Sequence, residues 1–198
     1  MKKLGILLIL GLLSACAIKT PVQNKYKLEA FGTSQAKAKK ESYSIFISAP
    51  IATTGYQTEQ MLYVSKPFEL SAFTKNSWVG DPASMLSPLI VQSLQSSKYF
   101  FAVTSIPYAD KSDFRLDTQL LTLQQNFLVR PSVLDFIVKN VVTDTKNSQV
   151  IASRIFTYHM PCSIDAPYGG VLAANQVTKQ YTKQLTDFVI DAISHSRR

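Results

Sequence analysis

The chain has 198 residues, 46% of them hydrophobic and 17% charged, which is enough apolar material for a buried core and excludes a disordered tract. Twenty-one basic residues against 13 acidic ones give a net charge of +8, and the excess is scattered apart from Lys37, Lys39 and Lys40. With no recognition motif accompanying that charge, nucleic acid is excluded as a partner.

Met1, Lys2 and Lys3 open the chain ahead of an uncharged run from Leu4 to Ala15. About a dozen apolar residues fall short of the roughly 20 that cross a hydrocarbon layer. The run has no polar face, so a modest domain would have to bury such a helix all round. A positive start, an apolar stretch and the small residues Ser14 and Ala15 fit a secretory signal peptide instead. Leu13-Ser14-Ala15-Cys16 resembles the bacterial lipobox, in which the thiol is acylated and cleavage makes the cysteine the new amino terminus. These features divide the chain into a signal peptide (1–15), a lipidated N-terminus and flexible tether (16–25) and one domain (26–198). With Cys16 carrying lipid, Cys162 is left without a disulfide partner. It reads as a small buried residue near a strand end.

Tyr26 to Phe31 alternates apolar and polar residues and predicts a first strand. Two further strands, in "SYSIFISAPI" and "QMLYVS", are rich in β-branched and aromatic residues. Gly55 eases the turn between them, so they read as a paired hairpin. "PFELSAF" then places Phe68, Leu70 and Ala72 on one face. The clearest helix start is Asp81-Pro82, a capping carboxylate followed by a proline whose missing N–H would have no partner there. Met85, Leu86, Leu89, Ile90 and Leu94 recur at spacings of three and four up to about Ser97, with a kink expected at Pro88.

From Phe100 the period changes to two. Leu134, Phe136 and Val138 form an apolar strand face, and the junctions "VRPS" and "DTKNSQ" join the last three strands into an antiparallel meander. Val171, Ala174, Thr178, Tyr181, Leu185, Phe188 and Ala192 return to helical spacing, for packing on the sheet or for a partner helix. Strands, helix, strands, helix predicts a single α+β domain, a mostly antiparallel sheet with two main amphipathic helices on it.

Catalytic candidates are few. His159 and His195 have no second ligand at metal spacing, and no phosphate loop, dinucleotide fingerprint, nucleophile elbow or zinc-protease motif occurs. Asp113 and Asp117 sit with residues that face water. Gly169-Gly170 before the last helix either turns the chain or offers amides to an anion. The expectation is a protein that is not an enzyme, with no catalytic residue, no metal and no cofactor beyond the lipid on Cys16.

Met61 to Val103 resembles the ABC-type transport auxiliary lipoprotein family. The likeness is carried by Tyr63, Pro67-Phe68, Phe73, Trp78, Pro82, Met85-Leu86 and Phe100 to Val103. Asp113 to Phe127 and the closing helix, Ala173 to Val189, resemble later elements of the family. Phe68 and Phe73 depart from it, since tyrosine is frequent at both places; each keeps the ring and loses a hydroxyl. The resemblance implies a non-catalytic component of an MCE-type ABC lipid transport system, partnered by an MCE-type substrate-binding protein and its ABC transporter. Ala17 after the acylated cysteine, where aspartate tends to retain lipoproteins at the inner membrane, implies the periplasmic face of the outer membrane. A carrier that itself encloses a phospholipid acyl chain and an envelope hydrolase are the alternatives. Trp78, Phe68, Phe73 and Pro82 are the candidate partner contacts or core anchors.

Overall fold

The computed structural model describes residues 23–34, 41–107 and 111–197; Cys16, Ala17 and the lysines at 37, 39 and 40 lie outside the described residues. In chain order the strands are β1 (Asn24–Tyr26), β2 (Ser44–Ile47), β3 (Ile51–Ala52), β4 (Gln60–Lys66) and β5 (Glu69–Trp78). Helix α1 (Pro82–Ser96) follows, then β6 (Ala102–Ser105), β7 (Phe114–Asn126), β8 (Val133–Asp144), β9 (Gln149–Pro161) and helix α2 (Pro167–Ser196). This is the α+β class that the order of periods predicts, with a mixed sheet in place of a mostly antiparallel one.

Strand β7 explains the mixture. One of its edges carries β8 and then β9 as the predicted antiparallel meander. The other edge is shared by three short segments placed end to end and all parallel to it: Ile45 pairs with Phe114, Ile51 with Gln119 and Tyr63 with Gln125. The hairpin expected between β2 and β4 is therefore not formed. Each segment instead brings donors to carbonyls of β7, as in Ser48 N–H to Leu116 (3.0 Å) and Thr53 N–H to Leu120 (2.9 Å). A long central strand must fill its edge, because unpaired buried amides are costly. Beyond β7 the sheet forks, with β6 parallel to β2 on one branch and β5 antiparallel to β4 on the other. Strand β1 closes the second branch, parallel to β5. It starts at Asn24, inside the expected tether, and ends at Tyr26, so the strand expected from Tyr26 to Phe31 is displaced toward the N-terminus.

Both helices cover one face. The Asp81 carboxylate accepts from the amides of Ala83 (3.1 Å) and Ser84 (3.0 Å), Pro82 takes the first helical position, and α1 runs through Pro88. Leu86, Leu89, Ile90 and Leu94 are buried, while Met85 is only partly so. Helix α2 buries the predicted stripe from Val171 to Leu185, and also Val177, Thr182, Thr186, Val189, Ile190 and Ile193, a face wider than a partner-helix seam. Phe188 lies at its rim. The centre is aromatic: Tyr181 meets Phe136 at 5.4 Å and Phe156 at 5.6 Å between centroids. Burying each such side chain is worth about 1.5–3 kcal/mol.

Tyr181 is fully buried and its hydroxyl donates to Asn140 Oδ1 (3.1 Å), whose Nδ2 donates to Thr118 Oγ1 (2.8 Å). Burial pushes the Tyr158 phenol up to about 12, and pushes Tyr181 further above the ordinary 10.0. Both stay protonated in the fold at pH values where the unfolded chain has begun to release those protons. Their contribution is complete below pH 10 and is lost as the pH rises through about 12. The urea midpoint is expected to fall steadily above pH 10, and an ultraviolet titration of the folded protein is expected to show Tyr158 ionising only near 12 while the unfolded phenols ionise near the ordinary 10.0.

Residues 27–34 form a strap laid along α2. Asn175 Oδ1 accepts from the amides of Glu29 (2.9 Å) and Ala30 (3.2 Å), and its Nδ2 donates to the Lys27 carbonyl (3.1 Å). Gly32 N–H donates to Thr182 Oγ1 (2.8 Å), and the Gly32 carbonyl lies 2.6 Å from the Ser93 hydroxyl. Ser93 also meets the Thr182 carbonyl (2.9 Å) and the Thr186 hydroxyl (2.8 Å), so strap, α1 and α2 join at one buried polar node.

Candidate functional site

The four aromatic and proline candidates divide between the core and the surface. Trp78, at the end of β5, is only 3% exposed and joins Met61 and Leu134 in the core. Its backbone is held by the Glu59 carbonyl, to which Trp78 N–H donates at 2.7 Å. Pro82 is buried in the first turn of α1. These two are core anchors. Phe73 is half-buried, stacked on Tyr63 at 4.5 Å and 6.2 Å from the ring of Phe127, where it braces the β4–β5 hairpin against the end of β7.

Phe68 is different. It occupies the tip of the β4–β5 hairpin with its side chain fully in solvent, ahead of the strand on which its spacing predicts a face shared with Leu70 and Ala72. Its φ of 66° lies in the left-handed region, which costs an ordinary L-residue roughly 1–2 kcal/mol. A turn of this shape after Pro67 favours glycine or asparagine at that position. Phe68→Asn is therefore expected to hold stability or raise it by about 1 kcal/mol in urea unfolding. An aromatic ring kept at a strained position without burial answers to something other than folding.

The tip has neighbours. Val64 pairs with Asn126 and its carbonyl accepts from Phe127 N–H (2.8 Å), so the hairpin tip and the β7–β8 connection extend from the same end of the sheet. That connection exposes Leu128 and Val129. The β9–α2 junction is tied to the same end by Ser132 N–H to Asp165 Oδ1 (2.6 Å) and Cys162 N–H to the Ser132 carbonyl (2.7 Å). It exposes Ile164 and Tyr168. Sequence reading missed this gathering, because Leu128, Val129 and Ile164 fall in connections, where periodicity is silent, and Tyr168 stands in the first turn of α2, ahead of the stripe that begins at Val171.

The other titratable candidates each have separate partners. His159, on β9, is largely in water and its Nδ1 lies 2.7 Å from Asp135 Oδ1, and His195 Nδ1 lies 2.7 Å from the Asp191 carbonyl. Burial pushes the Cys162 thiol up, leaving a poor nucleophile. Asp113 is held below the usual carboxylate range first by the Ser44 amide (2.9 Å) and further by the Ser44 hydroxyl (2.9 Å) and Lys146, while Asp117 accepts from Ser48 (2.6 Å) and Arg115 (2.9 Å). Among the described residues, no group of three or more His, Cys, Asp or Glu side chains could hold a metal ion. None of the described helices is long and apolar enough to cross a membrane.

Gly169 and Gly170 neither turn the chain nor face an open anion site. Both lie in the first turn of α2, and a Cβ on Gly170 would stand 2.7 Å from Gln125 Oε1. Gly170 lets the helix approach the sheet closely, and Gly169 makes room for the Ile164 carbonyl of the preceding junction, 2.0 Å from where its Cβ would stand. Gln125 Nε2 donates to Ser132 Oγ (2.8 Å) and the Ala166 carbonyl (3.2 Å). Its buried Oε1 borders a void of about 10 Å³ beside Trp78 and Leu134.

No protein-family model matches the chain, and no curated protein is similar to it. Solved structures are. A Xanthomonas campestris protein carrying the DUF330 family model superposes with a TM-score of 0.79 at 18% identity, over 87% of this chain and 98% of that one. An uncharacterized protein gives 0.67 at 11% identity, over 85% and 99%. The hypothetical protein CT253 from Chlamydia trachomatis gives 0.52 at 12% identity, over 75% and 98%. At these identities the shared property is the fold.

Proposed function

We propose that the chain is an envelope lipoprotein, acylated at Cys16 and held at the periplasmic face of the outer membrane. There it serves as a non-catalytic docking component of an MCE-type ABC lipid transport system. The observation that carries docking over lipid carriage is the filled interior. Among the described residues the void in the core beside Gln125 measures about 10 Å³, room for one water, and the groove of about 420 Å³ between β9 and the end of α2 is open to solvent and lined by Arg154, Asp191 and His195, whereas pockets for lipid-sized ligands are enclosed and mostly apolar. A depression of about 610 Å³ is an open surface groove lined by Lys111, Asp113, Arg115 and Lys146, a charged setting unsuited to an acyl chain.

The sheet face opposite the helices supports the same reading. It presents Ile51 and Ile155 to solvent, with Leu121, Ile137 and Val141 half-covered among polar neighbours. A mixed apolar and polar surface of this kind suits a protein partner. The likeness of Met61 to Val103 to the auxiliary lipoprotein family supplies the partner class.

Affinity purification of the full chain from membranes at native expression is expected to recover an MCE protein; its absence would overturn the docking role. Stoichiometric phospholipid in native mass spectra of the delipidated protein would favour the carrier instead. Cys16→Ser is expected to abolish palmitate labelling, and retained label would overturn the anchor.

A further inference from the structure

We propose that the hairpin end of the domain is a membrane-contact surface, with Phe68 at its apex and Leu128, Val129, Ile164 and Tyr168 around it, resting on the bilayer that holds the anchor. The inference rests on the acylated Cys16 of the proposed function and adds the face that the domain turns to the lipid.

The first ground is composition. Five large exposed side chains, four from three separate connections and Tyr168 from the first turn of α2, are brought to one end of the sheet. Surface apolar residues scattered singly need no explanation, but several converging from unrelated loops mark an interaction site. One of them, Phe68, is fully exposed at a positive φ, so the fold retains it at a local cost. Nearby charges are compensated: Lys66 pairs with Glu69 at 3.4 Å, and Asp165, which Ser132 N–H holds, has Arg130 as a cationic neighbour. Two cations flanking exposed rings and aliphatics suit the headgroup layer, where amphipathic side chains place apolar bodies inward and charged ends in water.

The second ground is where the anchor joins the fold. Cys16 precedes Asn24 by eight residues, a reach of at most about 28 Å. Strand β1 is parallel to β5, with Asn24 beside Asn76 and Tyr26 beside Trp78, and β5 begins at the hairpin tip. The chain therefore enters β1 from the hairpin side, and the strap then carries it along α2 from Asn175 toward Asp187, away from that end. At the opposite end, Arg197 pairs with Asp144 at 2.9 Å and lies over the Phe114 ring. Asn24 itself lies beside Asn76, seven residues or about 23 Å along β5 from Glu69, so a tether of this reach, entering from this side, spans back to the hairpin tip only when extended, while the far end of the roughly 40 Å β7 lies away from it.

A phospholipid surface is the occupant that both grounds select, because it is what the anchor delivers to this end. The test uses the acylated full-length product, purified from membranes and reconstituted into vesicles of phosphatidylethanolamine and phosphatidylglycerol. Trp78 is the chain's one tryptophan and is buried, so Phe68→Trp adds a single solvent-exposed reporter against a constant background. On vesicles the added emission is expected to shift to the blue and to lose most of its intensity to nitroxide-labelled lipid, while Trp78 keeps its own. Amides 127–130 should gain protection from hydrogen exchange in the same sample. Protein that floats with the vesicles but shows an unshifted, unquenched reporter and unprotected amides would overturn the surface and leave the anchor standing. Failure to float would overturn the anchor, and this surface with it. Protection of the tip by an added MCE protein, in the absence of lipid effects, would reassign it to a protein partner.

Discussion

Trp78→Ala is expected to cost about 3–5 kcal/mol, the usual penalty for truncating a buried tryptophan. The indole is among the most buried large side chains of the β5 branch and closes the core beside Met61, Leu134 and the first turn of α2. The neighbours cannot collapse into the space, since Gly170 already brings the α2 backbone within reach of Gln125 and the existing void is small. Urea unfolding should show a lower midpoint with an unchanged slope. The contrast with Phe68 makes the result informative about function. Phe68→Asn should leave the midpoint level or higher, so any loss of membrane or partner contact in that variant is a surface effect. Loss of function in Trp78→Ala would instead follow from loss of fold. A Trp78→Ala protein of normal stability would return tryptophan to the list of surface contacts.

Gly32→Val is expected to cost about 3 kcal/mol or more, at the upper end of overpacking penalties. A Cβ at this position would stand 2.2 Å from the Lys179 carbonyl oxygen and 2.8 Å from the Lys183 Cβ. The nearer of these is helix backbone and cannot give way. The strap must therefore lift, which breaks the Gly32 hydrogen bonds to Thr182 and Ser93 and leaves Ser93 and Thr182, both fully buried, short of a partner. Gly80→Val is the control, since nothing lies within 4 Å of a Cβ there, and it should unfold near the parent midpoint. Hydrogen exchange would show where the damage falls, with protection lost first at residues 29–34. A released strap would also lengthen the effective tether, so Gly32→Val is expected to weaken lipid contact at the hairpin end while leaving palmitate on Cys16.

Sequence reading and structure agree where the signal is local. Asp81 and Pro82 announce the start of α1 because capping and a fixed proline φ act within one turn. The stripe from Val171 to Leu185 announces α2 because each residue reports on neighbours three and four positions away. Leu134, Phe136 and Val138 announce the buried face of β8 because strand side chains alternate, and short junctions lock it between β7 and β9. The lipobox needs no fold to be read at all.

What stayed hidden depends on who pairs with whom. The segments β2, β3 and β4 could equally have folded on one another. Only a long β7 with an open edge of thirteen residues decides that all three run parallel along it. Trp78 and Phe68 are both large aromatics flanking the same strand, and nothing in their spacing sends one inside and the other out. The turn after Pro67 and the approach of α2 do that. Gly32 reads as loop chemistry until α2 lies against it. By itself, then, the sequence determines the helices and the alternating strands, since these follow from interactions within a few residues. Tertiary structure decides the sheet order, the identity of the core aromatic and which exposed apolar residues share one end of the sheet, since these depend on contacts between segments distant along the chain.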